Sequence, residues 1–359
     1  MKIARTVLTV KPHFRALRRG APRLESVAMP LPPDRFYYSP IVERPRFRWP
    51  NGARVAFWVA PNVEFYEYLP EADGVRDPWP RTPAPDVREY GYRDYGNRVG
   101  FWRMLDVLDK HRIRCGVSLN LAVLEHHPDI GEAMIQRNWD FMSHGIYNTR
   151  YLNACTEEEE REFYRDSIET LHRLTGKTLK GMLAPAFSGT ERTPDLMAEA
   201  NLEYLAGWTH DDQPFPFKVA SGRLISMPYS VELNDSPVFL TGQDADYFYR
   251  IGKAQFDRLY QDGERSGMVM CVAVHPWRIG LPHRVKWFDA LLGYVMSHSE
   301  VWQATSDEIA DYYMAHCYDD VLAHAQDLER SSTSGAPKWP PIPPTFGGRR
   351  ETLRPPLSS

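Results

Sequence analysis

Between about residues 52 and 318, short apolar runs alternate with longer stretches of helical periodicity, and this alternation restricts the chain to an α/β architecture. The runs that read as strands cover residues 55–60, 115–120, 139–142, 178–184, 203–208, 224–227, 268–274 and 301–304. They suffice for a distorted (β/α) barrel of seven to eight strands. Several of these runs end on a polar group: Glu64 follows the first, His144 and Gly145 the third, and His275 the run 268–274. Such side chains at strand ends read as an active site at one mouth of the barrel.

Helix signals fill the gaps. Val99, Trp102, Leu105 and Leu108 recur at helical spacing and predict one buried face. Thr156 with Glu159, and Thr305 with Glu308, are capping boxes, while Thr193 before Pro194 predicts a cap followed by proline at the first helical position. The stretch 67–93, rich in aromatic residues and proline, reads as a loop over the barrel mouth that serves as a lid or an association surface. Residues 1–35 form a basic arm, 36–320 the barrel, and 321–359 a Pro-rich tail expected to be extended.

Composition narrows the function. The net charge of -4 argues against a general nucleic-acid binder, because phosphate recognition needs an electropositive face. No stretch has the length and apolarity of a leader's core or a membrane span, so the expectation is a cytoplasmic protein with a small-molecule substrate, no nucleic-acid or membrane partner, and self-association into a dimer or tetramer. The four cysteines have no C-x-x-C spacing, which fits a reducing compartment. No G-x-S-x-G, P-loop or G-x-G-x-x-G motif is present to anchor a serine-hydrolase, nucleotide-hydrolase or dinucleotide reading.

Glu64, between apolar neighbours just past a buried strand, is suited to a general base for water, since desolvation raises a carboxylate pKa; the plain alternative is a loop carboxylate. His144 is suited to binding metal or substrate or to moving a proton, and Gly145 lets the backbone pass close to a ligand; the alternative is a structural imidazole. His275 ends the most continuous apolar run and is placed to protonate a leaving nitrogen. Asp211 and Asp212 point to different sides of one loop, so one orients a histidine or a substrate amide while the other caps backbone. Asn234-Asp235 reads as an ordinary turn.

In this order, Trp49 to Ala56, Asn62-Val63-Glu64, Tyr95 to Gly100, Ser143-His144-Gly145, Asp211 to Phe215, Pro228-Tyr229-Ser230 and His275-Pro276 resemble the polysaccharide deacetylase superfamily (NodB homology). The resemblance is to its cytoplasmic branch, which includes cofactor-independent allantoinases and cyclic imide hydrolases. It implies a NodB-type barrel. Metal-dependent members carry T-F-D-D-G and H-x-x-x-H, with one Asp as base and the other Asp and both His holding a divalent metal. Here Glu64 falls on the base, Phe65 on the metal-binding Asp, His144 on the first His and Asn148 on the second. Gly207 stands where relatives of this branch tend to carry an Asp.

The resemblance therefore implies a carbon-nitrogen hydrolase of the amidase or deacetylase type acting on a ureide, cyclic imide or acetamido group. Glu64 and His275 are its catalytic pair, and His144, Asn148, Asp211, Asp212 and Arg98 its substrate contacts. No cofactor is expected, because Phe cannot coordinate and an imidazole with a neutral amide is a poor zinc set. One alternative is a metal-dependent carbohydrate N-deacetylase using zinc, with Glu67, Asp211 or Asp212 as further donor. Another is a non-catalytic barrel that binds its ligand, and a glycosidase pairing Glu64 with Asp235 is the weakest.

Overall fold

The nine residues Val55–Val63 form β1, buried along its whole length, as a strand covered on both faces requires. The structure is a computed structural model describing residues 34–70, 85–153 and 155–332, and the elements below lie in the unit that begins at Arg35. The strands after β1 are β2 (Gly116–Leu119), β3 (Asp140–Ser143), β4 (Gly181–Met182), β5 (Tyr204–Leu205), β6 (Phe215–Pro216), β7 (Ile225–Ser226), β8 (Met268–Val274) and β9 (Val301–Gln303). Their order is β6-β7-β5-β4-β3-β2-β1-β8, parallel throughout except for β6 against β7.

One edge of β1 pairs with β8 from Val55 to Pro61. The other is divided: β9 pairs with Val55 to Phe57, and β2 takes over at Asn62 and Val63. Between β8 and the β6–β7 end no continuous ladder forms. The Val269 N–H donates to the Asp212 carbonyl at 2.9 Å and the Ala273 N–H to the Leu233 carbonyl at 3.1 Å, which stitches the curled sheet into a distorted barrel.

Strand alternation sorts the core into two layers. Val55, Phe57 and Val59 pack outward with helix residues such as Phe101, Leu108, Leu171 and Leu292. Ala56, Trp58 and Ala60 pack inward with Met142, Tyr204, Ile225, Val269, Cys271 and Ala273 from strands around the barrel.

Several expectations are corrected. Strand β6 was not anticipated, because two residues including a proline carry no readable alternation. Residues Val87–Tyr95 of the expected loop are helical, started by the Asp86 carboxylate accepting from the Glu89 N–H at 3.1 Å. The helix after them passes through a π segment, Gly96–Gly100, before Phe101–Lys110. The wider turn shifts its phase, so Phe101, Met104, Leu105 and Leu108 are buried while Val99 is exposed. Thr193 is the first residue of helix Thr193–Glu199 rather than its cap, its hydroxyl accepting from the Thr190 N–H. The expected tail boundary at 321 falls inside helix Tyr318–Ser332, which buries Val321 and Ala325. The basic arm, the middle of the 67–93 stretch and the tail beyond 332 lie outside the described residues.

Candidate active site

The inward row of β1 runs Ala56, Trp58, Ala60, and the same period of two carries Asn62 and Glu64 to the carboxyl-end mouth. The inward row of β8 continues from Ala273 to His275, and that of β3 from Met142 to His144. Three parallel strands thus deliver a carboxylate and two imidazoles to the wall of one cavity of about 570 Å³. Glu64 Oε1 lies 3.5 Å from His144 Nε2 and 3.6 Å from His275 Nε2. All three residues are buried.

Each imidazole is held from behind. His144 Nδ1 contacts the Leu183 carbonyl, which can only accept, so Nδ1 carries a proton and Nε2 faces Glu64. His275 Nδ1 lies 2.6 Å from Asp235 Oδ1, and the His275 backbone N–H donates to both Asp235 oxygens at 3.0 and 2.9 Å. Asp235 is fully buried. The Glu64 carboxylate accepts from Trp277 Nε1 at 3.1 Å, and its backbone carbonyl accepts from Asn97 Nδ2 at 3.0 Å. Asn62 Nδ2 donates to the Tyr229 hydroxyl at 2.9 Å, and burial pushes that phenol well above its usual range, so it stays neutral. With both Nδ1 atoms occupied, the two Nε2 atoms and Oε1 converge on the cavity wall, placed so that one water or substrate atom in the cavity can contact them together.

Residues 92–205 match the family model described as Polysaccharide deacetylase. A curated Schizosaccharomyces pombe protein named "Putative polysaccharide deacetylase" is 24% identical over 303 residues, covering 74% of this chain and 92% of that protein. This chain is similar to the polysaccharide deacetylases. Among solved structures, one described as "probable Polysaccharide deacetylase from Pseudomonas aeruginosa PAO1" aligns with a TM-score of 0.68 at 23% identity, covering 76% of this chain and 95% of that one. The structure of "Puue Allantoinase" aligns with a TM-score of 0.66 at 24% identity, covering 76% and 94%. Both share the barrel fold.

Against the deacetylase motif, the structure separates the expected site residues into two groups. Glu64, His144 and His275 meet in the cavity. Asn148, Asp211, Asp212 and Arg98 do not line it. Asn148 is buried, with its backbone N–H donating to the Phe65 carbonyl at 3.0 Å. Asp211 pairs with Arg44 at 2.6 Å and accepts from the Gln213 N–H at 3.0 Å, while exposed Asp212 contributes its carbonyl to the barrel seam. Arg98 is exposed and pairs with Asp94 at 2.5 Å. Its neighbour Asn97 faces the site instead, because successive helical residues point in different directions.

Asp235 and Trp277 were missed as site residues. Asn234 does make the expected turn, its side chain accepting from the Ser236 N–H at 3.0 Å. Only the seam between residues 233 and 273 brings Asp235 against His275, forty positions away in the chain. Trp277 had a local signal, since a turn starting at His275-Pro276 puts the next residues beside the histidine.

Proposed function

We propose that this protein hydrolyses a non-peptide carbon-nitrogen bond in a ureide, cyclic imide or acetamido compound, with Glu64 as base, His275 as acid and no metal in the step. The observation that carries this reading is the placement of Glu64 Oε1 between two imidazole Nε2 atoms whose opposite nitrogens are already engaged. Glu64 takes a proton from water as the water oxygen bonds to the substrate carbonyl carbon and the carbonyl electrons move onto oxygen. His144, protonated on both nitrogens, donates from Nε2 to that oxyanion. As the C–N bond breaks, the leaving nitrogen takes the Nε2 proton of His275, whose ring is held from behind by Asp235 at Nδ1.

The donor set does not fit a divalent ion. Phe65, at the position of the metal-binding Asp, stacks on His126 at 4.3 Å between ring centroids. Glu67 is engaged by Arg150 at 3.0 Å and Asp211 by Arg44, and none of Glu67, Asp211 and Asp212 lines the cavity. Among the described residues no cluster of three or more His, Cys, Asp or Glu is arranged to hold a metal. The cavity volume lies in the range that encloses a small molecule. A cytoplasmic setting fits four cysteines free of disulfides, and no helix among the described residues is long and apolar enough to cross a membrane.

The test is turnover of allantoin, hydantoins, cyclic imides and N-acetyl sugars by the native protein and by Glu64→Gln. Loss of general-base catalysis predicts a fall in kcat of about 10²–10⁴-fold for whichever compound is hydrolysed. Equal rates would show that Glu64 is not the base.

A further inference from the structure

One wall of the cavity carries a guanidinium that the hydrolytic step does not use. Arg278 is half-buried there, with its central carbon 4.3 Å from the Trp277 ring centroid and 5.4 Å from that of Tyr92. Its side chain has one polar contact among the described residues, a long donation from Nη1 to the Tyr92 hydroxyl at 3.4 Å. Its Nε–H is buried without an acceptor. The other guanidinium groups on this wall differ: Arg88 pairs with Glu89 at 2.9 Å and Arg93 with the same carboxylate at 2.5 Å. One carboxylate therefore serves two of the three arginines, and the third faces the cavity with its charge uncompensated.

Partial burial of an unpaired charge is unfavourable, while stacking on aromatic rings fixes the guanidinium plane and leaves its N–H edge to a ligand. A planar fork of this kind matches a carboxylate, which accepts two parallel N–H bonds. The location adds a constraint. Arg278 lies in the turn Pro276–Ile279, and its backbone N–H donates to the His275 carbonyl at 2.8 Å. The same turn thus holds the proposed acid His275, the Trp277 that orients Glu64, and Arg278.

We propose that Arg278 anchors a carboxylate of the substrate, so that the compound hydrolysed is an anionic amide, ureide or imide whose acid group lies away from the scissile C–N bond. This rests on the hydrolase reading above. Anchoring at Arg278 would set the distance of the reacting carbonyl from Glu64 and exclude neutral analogues that lack the second point of attachment.

The experiment compares hydantoin with hydantoin-5-acetate, a pair differing by one carboxylate, using the full chain in native, Arg278→Gln and Arg278→Lys forms. The expected result is that native protein favours the acetate by about 10–100-fold in kcat/KM, carried by KM, as a charge-assisted contact supplies. Arg278→Gln should erase the preference and Arg278→Lys should keep part of it. Equal kcat/KM for both compounds in the native protein would overturn the proposal. So would an Arg278→Gln protein that loses kcat equally on both, because that is a displaced Trp277 and Glu64 rather than a lost anchor. Calorimetric titration of both compounds separates the two readings. Preferential binding of the acetate, lost in Arg278→Gln but without turnover of either compound, would uphold the anchor and overturn the hydrolase reading. Turnover without that preference would do the reverse, and binding without the preference, or binding of neither compound, would overturn the anchor.

Discussion

Glu64, His144 and His275, the set proposed to act together, each have a partner that leaves one direction open toward the others. The Leu183 carbonyl dictates the His144 tautomer, Asp235 does the same for His275, and Trp277 holds one Glu64 oxygen while the other faces both rings. Asp235 is the partner whose charge matters. Replacing it by Asn keeps an acceptor for the His275 Nδ1–H and removes the counter-charge of the imidazolium. Asp235→Asn is therefore expected to lower kcat by about 10²–10³-fold, within the range of general acid catalysis. Steady-state turnover of both proteins checks this; an unchanged kcat would assign Asp235 a packing role only. Of these residues, the three that meet in the cavity were legible in the sequence, since each stands at or just past the end of a strand-like run: His275 directly after 268–274, His144 two residues after 139–142 and Glu64 four after 55–60. Asp235 was not, because its partner is reached only through the folded seam.

Strands and turns explain which parts could be read. A strand of seven or nine apolar residues, as in β8 and β1, announces both its own direction and the face on which the residues after it will point. The two-residue strands β4, β5 and β7 lie within the apolar runs 178–184, 203–208 and 224–227, whereas β6, paired with β7, carries no period of its own. The π segment was equally hidden, yet it positions the catalytic turn. A Cβ on Gly100 would stand 2.1 Å from the Pro276 carbonyl oxygen, and one on Gly96 2.8 Å from the Trp277 nitrogen. Glycine here permits two backbones to touch. Gly100→Ala is expected to destabilise the fold by about 1–3 kcal/mol through overpacking and to reduce turnover as His275 and Trp277 shift. Gly91, in the helix before it, meets nothing within 4 Å, so Gly91→Ala should be neutral or stabilise by up to about 1 kcal/mol. Urea unfolding of the two variants beside the native chain measures both, and similar midpoints for the two would contradict the contact.

At the scale of the whole molecule, the barrel gathers side chains from β1, β3 and β8 into one cavity although they are far apart in the chain. The alternation of apolar runs and helical stretches made this architecture readable, and the similar Pseudomonas aeruginosa structure shares it over 95% of its chain. The proposed metal-free reading rests on the composition of the mouth: Phe65 turned onto His126, and a carboxylate facing two imidazoles. The central claim is that this mouth activates water through Glu64 without a metal. The most direct measurement is the turnover rate of its best substrate by protein stripped with EDTA and verified metal-free by elemental analysis, before and after addition of zinc. The account predicts an unchanged rate in both states. A rate abolished by chelation and restored by zinc would contradict it.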